Sequence, residues 1–162
     1  MVWKFNYKTW ENIADRADGC FLYLMCSLAW LLQLHWLPFT LCSSECENYR
    51  TLSNGDRKIT NTGHARCDRS LDPGWFRFQG AAGNRMPTLC PAIYSCSTHA
   101  PGWLNRGHPT VADGRVTRQV CFHWSSNCCQ YSTHIQVRNC GSFYVYYFKG
   151  TSHCYLRYCS TD

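Results

Sequence analysis

Apolar and polar positions alternate along much of residues 45–162, in short runs and nowhere at helical spacing. The run GWFRFQG (74–80) puts Phe76 and Phe78 on one face and Trp75 on the other, the period of a strand. RVTRQVCFHW (115–124) alternates in the same way. In HIQVRN (134–139), Ile135 and Val137 point inward and Gln136 and Arg138 outward. Gly141 punctuates the chain, and the β-branched and aromatic run SFYVYYF (142–148) fits a partner strand. Turn chemistry separates these runs. NGD (54–56) and NTG (61–63) mark a polar, loop-rich entry over 46–70 with one short hairpin. AAGNRMPTLCP turns the chain after the first strand. Pro101-Gly102, Arg106-Gly107, Pro109 and Asp113-Gly114 mark a long exposed loop over 97–115. CYLRYC closes the chain. The pattern predicts a mainly β domain with long loops.

One stretch breaks the alternation. Residues 20–42, CFLYLMCSLAWLLQLHWLPFTLC, are apolar enough for a membrane, most densely over 20–32, but Gln33, His35 and Pro38 interrupt them. The proline and the small residues Cys42-Ser43-Ser44 fit the end of a signal peptide cleaved near Ser44. Residues 1–44 are therefore expected to be a signal peptide and 45–162 the domain. The alternative is an uncleaved signal anchor. Both place the domain in an oxidising, extracytoplasmic space, and only the anchor implies a membrane.

Cysteine content agrees. The chain has 13 cysteines in 162 residues, a density typical of secreted domains. Cleavage near Ser44 removes Cys20, Cys26 and Cys42. It leaves the even set Cys46, Cys67, Cys90, Cys96, Cys121, Cys128, Cys129, Cys140, Cys154 and Cys159. An even set can close as five bridges, and ten cysteines allow roughly 945 pairings. Bridges at about 2–4 kcal/mol each would offset much of the entropy of ordering long loops.

The densest cluster is CFHWSSNCC (121–129). Neighbouring Cα atoms lie about 3.8 Å apart, less than a normal disulfide spans, so Cys128 and Cys129 are expected to take different partners. In an extended segment their side chains face opposite ways, so one can staple inward and the other to a flanking loop. Cys121-x-His123 with Cys128-Cys129 does not match the spacing of structural zinc sites, and no metal or other cofactor is implied. A nucleophilic cysteine beside His123 needs a free thiol, which an even framework does not leave. His123 reads as a partly buried strand residue beside Trp124.

No G-x-S-x-G, H-E-x-x-H or glycine-rich phosphate loop is present. The acids of 45–162 are Glu45, Glu47, Asp56, Asp68, Asp72, Asp113 and Asp162, and no sequence context pairs them for acid–base work. The chain reads as a non-enzyme. Net charge is +6, unchanged when the charge-balanced leader is removed. The basic residues are scattered, with no run longer than Arg57-Lys58, so solubility is the simplest reading. Nucleic acid is excluded as a partner by compartment.

The cysteines and motifs together carry a resemblance. The pattern runs Cys46-x₂-Tyr49-Arg50-Thr51-Leu52, Cys67-Asp68, Gly74-Trp75-Phe76-Arg77-Phe78-x-Gly80, Gly83, Arg85-Met86 and Cys90. It continues through Cys96-x-Thr98-x-Ala100-Pro101-x-Trp103-Leu104-Asn105, His108-Pro109, Cys121-x-His123-Trp124-Ser125 and Cys128-Cys129. Phe143-Tyr144-Val145-Tyr146 and Cys154-x-Leu156-x-Tyr158-Cys159 complete it. Residues 46–162 so resemble the ten-cysteine domain, with its eight-cysteine core, of uromodulin, the pancreatic zymogen-granule membrane glycoprotein and a liver-specific zona-pellucida-domain protein.

That resemblance implies a secreted, extracellular recognition module of mucosal glycoproteins, with an innate defence role. In those relatives the domain displays a mannose-rich glycan that decoys bacterial fimbriae. The glycan-bearing stretch maps onto Trp103-Leu104-Asn105-Arg106-Gly107-His108-Pro109. Asn105 is retained, but Gly107 replaces the required hydroxyl residue, and no other asparagine of the domain stands in a sequon. The decoy role is therefore not expected. The chain ends three residues after Cys159, so no polymerising module or lipid-anchor tail is expected either. The partner expected is a carbohydrate or an extracellular protein, bacterial surfaces included, met by Trp103, Asn105, Arg106 and His108. An exposed Trp103 would suit a sugar, and a buried one would anchor the loop. The alternative is a structural or adhesive matrix component without a specific small ligand.

Overall fold

A computed structural model describes residues 44–162. The apolar run, with Cys20, Cys26 and Cys42, and nearly all of the expected leader lie outside the described residues. Glu45–Asp162 form one compact unit. Among the described residues no helix is long and apolar enough to cross a membrane.

The fold is mainly β. After one helical turn, α1 (Ser44–Glu47), come β1 (Arg50–Leu52), β2 (Gly74–Phe78), β3 (Ala100–Leu104), β4 (Arg115–Trp124), β5 (Asn127–Asn139), β6 (Tyr144–Phe148) and β7 (Leu156–Tyr158). They form a seven-stranded sheet in the order β1-β2-β6-β5-β4-β3-β7. The interior pairings are antiparallel and the two edge pairings, β1–β2 and β3–β7, are parallel.

One face of the sheet is the core. Phe76, Phe78, Val120, Phe122, Ile135, Val137, Tyr146 and Phe148 lie on it, roofed by Ala82, from a 3₁₀ turn at Gly80–Ala82, and by the loop residue Met86. Three strands separate β6 from β7 in the order, yet Phe148 and Tyr158 stack at 4.0 Å. The sheet therefore curls on itself around this aromatic centre. A bridge between Lys58, beyond β1, and Ser160, beyond β7, ties its two ends.

The entry segment does not form the expected hairpin. β1 runs parallel to β2, and the NGD turn becomes a 3₁₀ turn at Gly55–Arg57. The reason is polar. Arg57 reaches Asp68 with two bonds of 2.9 and 2.7 Å, and Asp68 also accepts the backbone N–H of Tyr158 at 2.9 Å. Arg157, buried in β7, donates to the Asp56 carboxylate at 2.9 Å and to the Cys96 carbonyl at 3.0 Å. These buried contacts direct 54–70 toward β7, where burial makes each unpaired charge costly.

The long-loop expectation for 97–115 also changes at its start. Pro101 and Gly102 lie inside β3. A Cβ at Gly102 would meet the Phe122 ring at 2.8 Å and the Arg157 carbonyl at 2.7 Å, so the glycine serves a close approach of strands, not a turn. Pairing with β4 begins at Gly102, so the missing N–H of Pro101 breaks no bond there.

Candidate recognition surface

Five disulfides position the loops. Cys46–Cys140 joins α1 to the end of β5, and Cys67–Cys154 and Cys96–Cys159 flank the buried ion pairs. The other two originate at the β4–β5 hairpin. Its two-residue turn holds Ser125 at a left-handed φ of +56°, and Asn127 Oδ1 accepts the Cys129 N–H at 2.9 Å. Cys129 bonds to Cys121 across the hairpin, with Cα atoms 4.6 Å apart. Cys128 bonds to Cys90 in the β2–β3 connection, with Cα atoms 5.8 Å apart. The adjacent cysteines thus tie two parts of the chain to one strand.

His123 is half-buried, and its Nδ1 meets the Pro91 carbonyl at 2.6 Å. The ligand atoms of Cys90, His123 and Cys128 lie within 4.8 Å of one another. Both sulfurs are bonded to each other, and a metal needs thiolates, so in this oxidation state the group is a staple.

The four loop residues named from sequence occupy different places. Trp103 lies opposite Cys121 on the outer face, half-buried, its Nε1 donating to the Cys128 carbonyl at 2.8 Å. Asn105 donates from Nδ2 to Gln119 Oε1 at 3.0 Å. Arg106 is exposed, at a φ of +74° next to Gly107 at +76°. His108 is tucked under the core face. Tyr146 Oη accepts the Met86 N–H at 3.0 Å and lies 2.8 Å from His108 Nε2. Among the described residues His108 Nε2 is the one acceptor within reach of the buried hydroxyl proton, which assigns that proton to Nε2 and places the proton of the neutral imidazole on Nδ1. The ring packs on Tyr144 at 4.3 Å. Burial, helped by the Arg85 charge, lowers the His108 pKa to about 4. Burial also pushes the Tyr146 hydroxyl well above its usual range. Of the four, only Arg106 presents its charged group outward.

Residues not singled out from sequence assemble on the outer sheet face. Thr117 lies opposite Gln136, Gln136 opposite Tyr147, and Tyr147 opposite Trp75. This makes a straight row over β4, β5, β6 and β2, about 14 Å long at normal strand spacing. Gln119 and His134 form a second row beside it. A shallow depression of about 490 Å³ is lined by Thr117, His134, Ile135, Gln136, Tyr147 and Lys149. At one end Glu45, buried, is held by Arg115 at 3.0 Å and Arg138 at 3.4 Å. Burial works to raise the Glu45 carboxyl, but the bonds and charge of Arg115, with Arg138, hold it below its usual range. Outward polar positions in β4 and β5 were legible from alternation, but which aromatics stood beside them was not.

A curled sheet whose loops are tied by disulfides through all ten described cysteines defines a small cystine-stapled β domain. The family model of the uromodulin-like cysteine-rich domain matches residues 76–160, more than half of the chain. The dog pancreatic secretory granule membrane major glycoprotein GP2 (Canis lupus familiaris) is 49% identical over 71% of this chain and 23% of its own length. The same glycoprotein of Homo sapiens is 41% identical over 74% of this chain and 22% of its own. Uromodulin of Mus musculus is 41% identical over 74% and 19%. This chain belongs to the uromodulin-like cysteine-rich domain family. It spans less than a quarter of the length of these relatives.

Proposed function

We propose that this chain is a secreted, non-catalytic recognition module of the uromodulin type, engaging a carbohydrate or protein partner outside the cell, microbial surfaces included. The observation that carries the reading is the contrast between a rigid frame and an uncovered face. Five disulfides and buried ion pairs hold the loops, while Thr117, His134, Gln136 and Tyr147 on the outer face of β4, β5 and β6 are left open to solvent. Preorganised surfaces lose less entropy on binding. Residues 1–44 act as a signal peptide in this reading. Asn105 carries no N-glycan, so the module recognises rather than displays a sugar.

The test is saturable binding of the secreted chain to glycan-coated surfaces and to enteric bacteria. Binding that saturates and depends on outer-face or Arg106 side chains supports the reading. The disulfide density also favours a second reading, a protease-resistant spacer. Resistance to proteolysis without saturable binding would select it.

A further inference from the structure

Resting on the recognition reading, we propose that the outer face around Tyr147, Gln136 and Lys149 is a site for an oligosaccharide ending in one carboxylate-bearing sugar. Its chemistry differs from that of a merely solvated face. Exposed protein surfaces are commonly kept soluble by interspersed charge. Beside Ile135 and the single charge of Lys149, this depression is lined by a hydroxyl, an amide, an imidazole and a phenol, from Thr117, Gln136, His134 and Tyr147. They offer donors and acceptors of the kind sugar hydroxyls pair with.

The aromatic part is oriented. Tyr147 is 38% exposed, and Trp75 meets it edge-to-face at 5.6 Å. The Arg115 guanidinium also lies 5.6 Å from the Trp75 ring centroid. Trp75 thus steadies Tyr147, whose open part is left for the C–H face of a pyranose.

Charge selects the terminal sugar. Lys149 follows Tyr147 by two residues and is exposed on the rim of the depression. No carboxylate lines the depression, and Glu45 is already held by Arg115 and Arg138. One ammonium beside neutral hydrogen-bonding groups matches one carboxylate. A polysulfated chain would call for a dense basic stripe, and the basic residues of this chain are scattered.

The test titrates the secreted chain with sialyllactose, lactose and a heparin oligosaccharide. Sialyllactose should bind saturably, lactose about fivefold more weakly or worse, and heparin no more tightly than sialyllactose. Gln136→Glu adds a repelling carboxylate at an exposed position without removing packing. It should weaken sialyllactose about fivefold or more while leaving the thermal midpoint unchanged. Lys149→Ala should erase the preference over lactose. Sialyllactose binding that ignores both variants and falls only with Arg106→Ala would overturn this site and leave the recognition reading standing. Tighter heparin binding would overturn the single-carboxylate assignment. Failure of all three sugars would sink the site, and the bacterial binding assay would then judge the recognition reading separately.

Discussion

Acid should weaken this domain through His108, and the size of the effect follows from its surroundings. The imidazole is neutral, accepts the Tyr146 hydroxyl proton at 2.8 Å, and is held to a pKa of about 4 by burial and by Arg85. In the unfolded chain the same ring titrates near its ordinary value of about 6.5. Between these values the unfolded state binds a proton that the folded state refuses, so stability falls as pH drops. The contribution is complete above pH ~6.5 and lost as pH falls through about 4. Each pH unit inside that window costs up to about 1.4 kcal/mol, or roughly 3 kcal/mol in all. The ring is not fully enclosed, and solvent screening brings the expected loss to about 2 kcal/mol.

The assay is urea unfolding of the oxidised protein at pH 7.5, 6.5, 5.5 and 4.5, beside His108→Gln. The amide can still accept from Tyr146 but does not titrate. At pH 7.5 the variant should be about 1 kcal/mol less stable, from lost ring packing on Tyr144. Its curve should then run flatter than that of the wild type down to pH 4.5, below which carboxylates such as Glu45 begin to matter. Proton NMR should show one histidine, absent from the variant, with a midpoint near 4. Parallel pH profiles for the two proteins, or a His108 midpoint near 6.5, would refute the reasoning.

Other predictions concern the frame and the loop. Asp68→Ala strands Arg57 in the core and removes the acceptor of the Tyr158 N–H, so it should cost about 3–5 kcal/mol in denaturant unfolding. Removing Cys90–Cys128 by paired alanines opens a separation of 38 residues and should cost about 4 kcal/mol, against about 2.5 for Cys121–Cys129, whose separation is 8. Equal losses in thermal or denaturant unfolding would contradict that loop-entropy difference. Gly107→Thr rebuilds an N-x-Thr acceptor at Asn105, and secretion from cultured cells should add a hexose-rich mass increment absent from the wild type. The cost is strain at a φ of +76°, about 1–2 kcal/mol, since a Cβ there meets no atom within 4 Å.

The sequence carried β2, β4, β6 and the second half of β5 because each holds its own in-and-out pattern. In β5, Ile135 and Val137 are buried while His134 and Gln136 are exposed, and in β2, Phe76 and Phe78 are buried. Local pattern failed where the cause was distant. Gly102 resembles half of a Pro-Gly turn until Phe122, twenty positions on, presses against its Cα side. The NGD segment resembles a hairpin until Arg57 finds Asp68 and the Tyr158 carbonyl, which is 101 residues away. The loop residues show the same limit. Trp103 and His108 stand five positions apart, yet the outer face takes one and the core face the other. The outer-face row is the extreme case. Alternation tells that Thr117 and Gln136 point outward, but only the order β2-β6-β5-β4 sets Trp75 and Tyr147 in line with them. That order is set by strand pairings between runs up to seventy residues apart, to which a two-residue period is blind. A surface assembled from four strands therefore becomes visible only once the register is known.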